Sequence, residues 1–479
     1  MKYPQILRRY AGVGFIIPIL MLALLTGCRT NPVTGEEEFV LVSQKQAWQM
    51  GVQNHPNIVQ TYDGEYKDEE LKNYLGTIVR RLHGVSHIRN MPVDFTILNT
   101  SVVNAFAIPG HVYATRGFLA ELDNEAQFAA VMGHELAHVA AGHIQKRMTN
   151  QLLTGITFSA AGGVLGDTSG ASTALSLART GTTLLQLSYS REQERQADRV
   201  GTYYMSMAGW NPKAAITMQE LLSSLNDREQ TVLDKYLSTH PPADDRIGEI
   251  RTVIQKEDLA SDKYVQGDGI FKERWDNRLA ELKKLDKAYK EYDKGQEQLS
   301  DQEYQAALQS AQEALKQRSD QAQFYCLKGD ALLGLGKLDE AGAAYQKSVQ
   351  KYPEYAHAKT GLGMVALKQN KYGEAEKHFA AASKIYPQGY MPVRGLGLAR
   401  FQQGNYRSAI DPLQSAANPQ VKDPALHYAL AVSYQKTGKL NYAYQEYQIA
   451  LSQGLTGEQA KAARASMNKL KSSVKTQPQ

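Results

Sequence analysis

The period of the apolar positions changes several times along the chain, and each change marks an element. Residues 11–25 form a charge-free, mostly apolar run of 15. An ordinary membrane span needs about 20 such residues, so this run is too short. Ser43 with Gln46 has the spacing of a capping box that opens a short helix. Leu71, Leu75, Ile78 and Leu82 recur at steps of three and four, the stripe of an amphipathic helix. Residues 93–98 alternate as a strand, and residues 104–108 and 112–115 flank Pro109-Gly110 as a hairpin. A long helix is predicted from Asp123 or Asn124 to about Met148. Another starts by Ser190 and stops at Gly209, with Pro212 beyond it, and a third starts at Asp244 or Asp245. Residues 148–166 carry no charge but are interrupted by Thr, Asn, Gln and Ser. Their small residues predict a helical hairpin or lid. The sharper alternative is a segment dipping into a membrane.

From about Ala288 the pattern repeats every 34 residues. One column reads Gly295, Gly329, Gly363, Gly397, Ala431; a second reads Ala307, Ala341, Ala375, Ala409, Ala443. Tyr304, Leu338, Tyr372, Tyr406 and Leu440 form a third, and Ala311, Tyr345, Phe379, Leu413 and Tyr447 a fourth. Small residues let paired helices approach, and large ones fill the seam. The period resembles the tetratricopeptide repeat, with Pro353 and Pro387 ending two copies. Cys326 falls in a first helix of a repeat and reads as a small buried apolar residue. The architecture expected is α+β, mainly α: a helical half with a small sheet, then an all-α solenoid. The boundaries expected are 28–270 for the first domain, 271–287 for a connecting helix, 288–457 for five repeats and 458–479 for a capping helix and tail.

At 479 residues and 42% hydrophobic, the chain has material for two to four domains and is neither disordered nor collagen-like. Three cations, Lys2, Arg8 and Arg9, lie in the first ten residues. Without them the net charge falls from +5 to +2, too little for a dedicated nucleic-acid binder. These cations and the apolar run read as a signal peptide over residues 1–27. The run ends in Leu25-Thr26-Gly27-Cys28, which resembles a bacterial lipobox. That resemblance implies lipidation of Cys28 and a periplasmic location. Arg29, in place of Asp, implies the outer rather than the inner membrane. Cys326 is then alone, so no intrachain disulfide is available.

The chemistry lies on two helices. His134-Glu135-Leu136-Ala137-His138 is an HExxH motif. Its two histidines, four apart, project from one helix face and can grip one zinc ion, while Glu135 can take a proton from the attacking water. Catalytic zinc needs a third protein ligand and an open position. The position six residues after His138 is Ile144, which excludes a third histidine there. His143, about 140° round a continuous helix, should point away, as a surface residue or an outer partner of the site. Glu194 is the better candidate, in Glu194-Arg195-Gln196-Ala197-Asp198. Asp198 shares its face and can accept a hydrogen bond from the outer nitrogen of a ligand histidine. The alternative is a solvated acidic pair. His240 precedes Pro241-Pro242. Near an open zinc position it could stabilise an oxyanion or block substrate until moved; otherwise it holds a loop.

HELAH, the downstream ERQADRVG, Ser238-Thr239-His240-Pro241 and Asn31-Pro32-Val33-Thr34-Gly35 together resemble the metallopeptidase family of the CAAX prenyl proteases and HtpX (family M forty-eight). With the repeats added, the chain is most similar to the periplasmic BepA-type proteases. The resemblance implies a gluzincin-type peptidase domain holding one Zn(2+) on His134, His138 and Glu194, with Glu135 as general base. It makes Asp198 an outer partner or proton donor, and His240 a fourth ligand or a stabiliser of the tetrahedral intermediate. Residues 104–107 (Asn104, Ala105, Phe106, Ala107) are expected to pair with an extended substrate strand. The function implied is endoproteolysis in envelope protein quality control and outer-membrane protein assembly. Its protein substrates or partners would be met through the repeats, and its membrane contact made through the lipid. The alternative is a chaperone or assembly factor working through the repeat groove with a latent peptidase. The lipobox makes one direct prediction: Cys28→Ser abolishes lipid labelling and leaves an uncleaved precursor on a processing gel. Unchanged processing would point to an ordinary signal peptidase site.

Overall fold

The computed structural model describes residues 28–161, 188–228, 236–240, 245–418 and 421–474. The apolar run, most of the lipobox, Pro241-Pro242 and the far end of the expected hairpin after Met148 lie outside them. The chain divides into two compact units, 1–284 and 285–479. Among the described residues, no helix is long and apolar enough to cross a membrane.

The first unit opens with β1 (Cys28–Thr30) pairing antiparallel with β2 (Glu37–Phe39). Between them the Asn31 side chain accepts from the Val33 N–H at 2.8 Å and shapes the turn. Helix α1 (Gln44–Thr61) begins at the Ser43/Gln46 capping box. Helix α2 (Glu69–Val85) is capped by Asp68 and buries Leu71, Leu75, Ile78 and Leu82, the stripe seen in the sequence. Strands β3 (Asp94–Leu98), β4 (Ala105–Ile108) and β5 (His111–Thr115) form one sheet in the order β3-β5-β4. The hairpin turns at Gly110, whose φ of +95° is open to glycine at little cost. β5 also pairs parallel with β3. β4 is therefore an edge strand of the three.

After the short helix α3 (Arg116–Glu121) come the two helices of the site. α4 (Glu125–Ala140) is capped by Asn124 and buried along its whole length. The predicted helix to Met148 is not continuous. Gly142 takes φ +67°, and a new helix, α5 (His143–Ala161), begins behind it. The break is satisfied from outside: Asn31 Nδ2 donates to the Ala141 carbonyl at 3.2 Å, and Arg29 Nη2 at 3.3 Å. The N-terminal turn is thus docked on the end of the HExxH helix, where a helix leaves carbonyls unpaired. α6 (Arg191–Met207) starts from a second capping box at Ser190 and is followed by Gly209 at φ +96°. α7 (Ala214–Arg228), α8 (Arg246–Lys256) and α9 (Lys272–Ser300) follow.

α4 and α6 touch backbone to backbone. A Cβ added at Gly133 would lie 2.9 Å from the Gly201 carbonyl oxygen, and one at Gly201 would lie 2.7 Å from the His134 nitrogen. The second unit is a run of antiparallel helix pairs, among them Ala322–Gly334 with Leu338–Lys351 and Ala356–Lys368 with Tyr372–Ile385. The alanine column is buried at the seams, and Tyr345, Phe379, Leu413 and Tyr447 fill the space between. Cys326 is buried in the first helix of its pair.

The crossing makes a prediction. Gly201→Ala must separate α4 from α6 or distort one of them, at about 1–3 kcal/mol. Chemical denaturation should show that loss, whereas the same change at Gly373, which faces open space, should cost far less.

Candidate metal centre and active site

The one-turn step from His134 to His138 places both rings on the face of α4 turned to α6. Glu194 and Asp198, also one turn apart, answer from α6. His134 Nδ1 donates to Asp198 Oδ1 at 2.9 Å. His138 Nδ1 lies 2.8 Å from His143 Nδ1, and His143 Nε2 lies 2.9 Å from Gln196 Oε1. With Gln196 accepting, His143 Nδ1 is an acceptor and His138 donates to it. Both inner nitrogens are thereby left as lone pairs. They face each other at 2.9 Å, an arrangement that needs positive charge between them.

Glu194 closes the group. Its Oε1 lies 3.4 Å from His138 Nε2 and its Oε2 lies 3.5 Å from His134 Nε2. His240 Nδ1 sits 3.1 Å from Glu194 Oε1 and 3.4 Å from His134 Nε2. Donor atoms of His134, His138, Glu194 and His240 all lie within 4.8 Å of one another, and all four residues are buried. Glu135 Oε1, Glu194 Oε2 and His240 Nε2 are buried without a hydrogen bond. Two or three imidazoles with a carboxylate, each backed from outside, are the donor set of a catalytic zinc site. The group can hold a metal ion.

The electrostatics agree. Burial alone would raise the Glu194 carboxyl. The His240, His134 and His138 rings drawn up around it instead hold it far below the ordinary carboxylate range. Burial pushes His138 well below its usual value. Burial also opposes a charge on His134, but Asp198 and Glu194 outweigh it and raise the ring to about 10. The pull that favours a proton there favours a cation in the same place. Burial raises Glu135, as suits a group that must take up a proton. Glu135 also accepts from the Ala107 N–H of β4 at 3.1 Å and faces His240 Nε2 at 3.4 Å.

The structure brings His134, Glu135, His138, Glu194, Asp198 and His240 to one point and sets the β4 edge beside them. Among the residues expected to meet substrate, Ala107 reaches Glu135. The Asn104 backbone is tied to Thr115. The expectation that His143 points away is corrected. Because the helix breaks at Gly142, His143 starts a new helix and is turned back onto His138. Arg246 was not predicted. It is 6% exposed and grips Asp198 with two hydrogen bonds of 2.6 Å, while its Nη1 lies 3.1 Å from Glu194 Oε2. As the first residue of α8 it looks in the sequence like an ordinary solvated charge. Tyr189, which stacks on His138 at 3.7 Å between ring centroids, had no sequence signal either.

Residues 69–254, which include this whole site, match Peptidase family M48. Residues 292–356 and 332–391 each match a tetratricopeptide repeat. The chain carries a family M48 peptidase domain followed by tetratricopeptide repeats. It is 32% identical over 158 residues to mitochondrial metalloendopeptidase OMA1 of Arabidopsis thaliana, covering 33% of this chain and 30% of that protein. It is 30% identical over 192 residues to the beta-barrel assembly-enhancing protease of Escherichia coli K12, covering 38% and 39%. Metalloprotease LoiP of the same strain is 28% identical over 187 residues, covering 38% and 71%. The chain thus spans well under half the length of the first two relatives. Among solved structures, 38% of this chain aligns with 99% of TTC0263, a tetratricopeptide-repeat protein of Thermus thermophilus, at a TM-score of 0.31 and 20% identity.

Two substitutions test the charge arrangement. Arg246→Gln leaves two buried carboxylates without their cation and should cost about 3–5 kcal/mol in chemical denaturation. Asp198→Asn should keep the fold and weaken metal affinity about 10–100-fold in a chelator competition, since such outer partners tune a ligand rather than supply one.

Proposed function

We propose that the chain is a zinc endopeptidase of the bacterial envelope that cleaves misfolded or stalled envelope proteins, including outer-membrane proteins in assembly. The observation that carries this reading is the buried convergence of His134, His138 and Glu194 with Glu135 beside them. His134, His138 and Glu194 would hold one Zn(2+) per chain, which supplies a Lewis acid and makes a water nucleophilic at neutral pH. Glu135 takes the proton of the attacking water and passes it to the leaving amine. Its Oε1, buried without a hydrogen bond, is available for that transfer.

Asp198 fixes the His134 tautomer, and Arg246 keeps Asp198 ionised. His240, itself buried at 1% exposure, would serve as a fourth donor or an oxyanion stabiliser. A substrate segment extended along residues 105–107 would exchange main-chain hydrogen bonds with the free edge of β4, while the Asn104 main chain stays tied to Thr115 and the Ala107 N–H to Glu135. The repeats recognise the protein partner or substrate, as the long face of a solenoid permits. The likeness to the beta-barrel assembly-enhancing protease of Escherichia coli supports the outer-membrane part. Periplasmic location and lipid anchoring through Cys28 rest on the lipobox.

The burial of His134, Glu135, His138, Glu194 and His240 favours one second reading, an assembly factor with a mostly latent peptidase. The test is metal content and casein digestion of the purified chain and its variants. His134→Ala, His138→Ala and Glu194→Ala should lose the zinc and the activity. Glu135→Gln should keep the zinc and lose at least a hundredfold in rate. Full zinc in Glu194→Ala would remove the ligand assignment. An intact cellular phenotype with Glu135→Gln would favour the assembly factor.

A further inference from the structure

The repeats hold a second convergence of metal-binding side chains that the peptidase chemistry does not use. Cys326 and Asp330 lie one turn apart on helix Ala322–Gly334, so both project from one face. His357 is the second residue of helix Ala356–Lys368, the first helix of the next pair. The thiol sulfur, a carboxylate oxygen and an imidazole nitrogen all lie within 4.8 Å of one another. His357 Nε2 is 3.2 Å from Asp330 Oδ2. The other carboxylate oxygen, Oδ1, accepts from the Tyr345 hydroxyl at 2.7 Å, the outer support that orients a ligand carboxylate. Tyr345 is fixed in turn: a Cβ at Gly329 or Gly361 would strike its ring, at 2.6 and 2.3 Å.

The solenoid supplies its own comparison. Stepping by 34 residues, the three positions read Tyr292, Gln296, Gln323 at one junction, Thr360, Met364, Met391 at another and Arg394, Leu398, Ala425 at a third. A clamp between repeats does not require a cysteine, and no other junction has one. Only at Cys326, Asp330 and His357 do these registers bring together a soft donor, an imidazole and a carboxylate. Those are the donor types that zinc and its neighbours in the first transition row accept.

We propose that Cys326, Asp330 and His357 form a site for a divalent transition-metal ion of the zinc type, tying one repeat to the next. Tetrahedral zinc with bonds of about 2.0–2.3 Å holds its donors roughly 3.5 Å apart. With donors now within 4.8 Å of one another, the three side chains therefore close by about 1.3 Å at most. His357 is half exposed, which leaves water a way to the fourth position. Cys326 is buried within an apolar cluster, and its thiol must give up a proton to bind, so occupancy rises with pH.

Cobalt(II) separates this site from the peptidase centre, because only a thiolate ligand gives the near-ultraviolet sulfur-to-cobalt charge-transfer band. The full-length chain is titrated with cobalt in a Cys28→Ser background, which removes the other cysteine. The band should saturate with one equivalent beyond that taken at His134, His138 and Glu194. Cys326→Ser should abolish it and leave cobalt at the peptidase site. His357→Ala and Asp330→Asn, at less buried positions and expected to fold, should each raise the cobalt needed at least tenfold. Absence of the band from the Cys28→Ser chain, or a band indifferent to His357→Ala and Asp330→Asn, would overturn the site.

Discussion

The site depends on two helices that touch without side chains between them. Gly133 immediately precedes the first histidine of the HExxH motif, and Gly201 lies one turn beyond Asp198. Their contact sets α4 and α6 close enough for a glutamate on one helix to meet two imidazoles on the other. A larger residue at either place would push the backbones apart, and a protein interior packed at crystal density has no slack to absorb that. The small sheet is placed by the same helix. β4 lies on α4, and the Ala107 N–H reaches Glu135.

Charge is the second constraint. Glu135, Glu194 and Asp198 are three buried carboxyls within a few ångströms of one another's partners. Buried anions are tolerated when cations and hydrogen bonds meet them. Arg246 supplies one cation, and the space between His134, His138 and Glu194 asks for another. The N-terminal turn contributes from a distance. By capping the Ala141 carbonyl, Asn31 and Arg29 let α4 stop where it does, and His143 then turns back onto His138. A segment that reads in sequence as the start of the mature chain thus bears on the orientation of a ligand ring.

Much of the site was legible because it is local. HExxH and ExxxD each place two side chains on one helix face by spacing alone, and the caps at Ser43, Asn124 and Ser190 were readable as start signals. The 34-residue period gave the solenoid. What was not legible depends on packing between distant segments. The break at Gly142 is hidden because Ala-Ala-Gly-His fits a helical pattern, and only the αL conformation and the caps from Asn31 and Arg29 end the helix there. Arg246 resembles any first-turn charge until α8 is laid against α6. The parallel pairing of β3 with β5 has no signal in strands of five residues.

The central claim is that one metal ion sits between α4 and α6 on the donors named. The most direct measurement is anomalous diffraction at the zinc absorption edge from crystals of the full chain carrying Glu135→Gln, grown with stoichiometric zinc. The account predicts an anomalous peak in bonding contact with His134 Nε2, His138 Nε2 and a Glu194 carboxylate oxygen, and none at Glu135. A zinc-loaded chain with no peak between those three residues would contradict it.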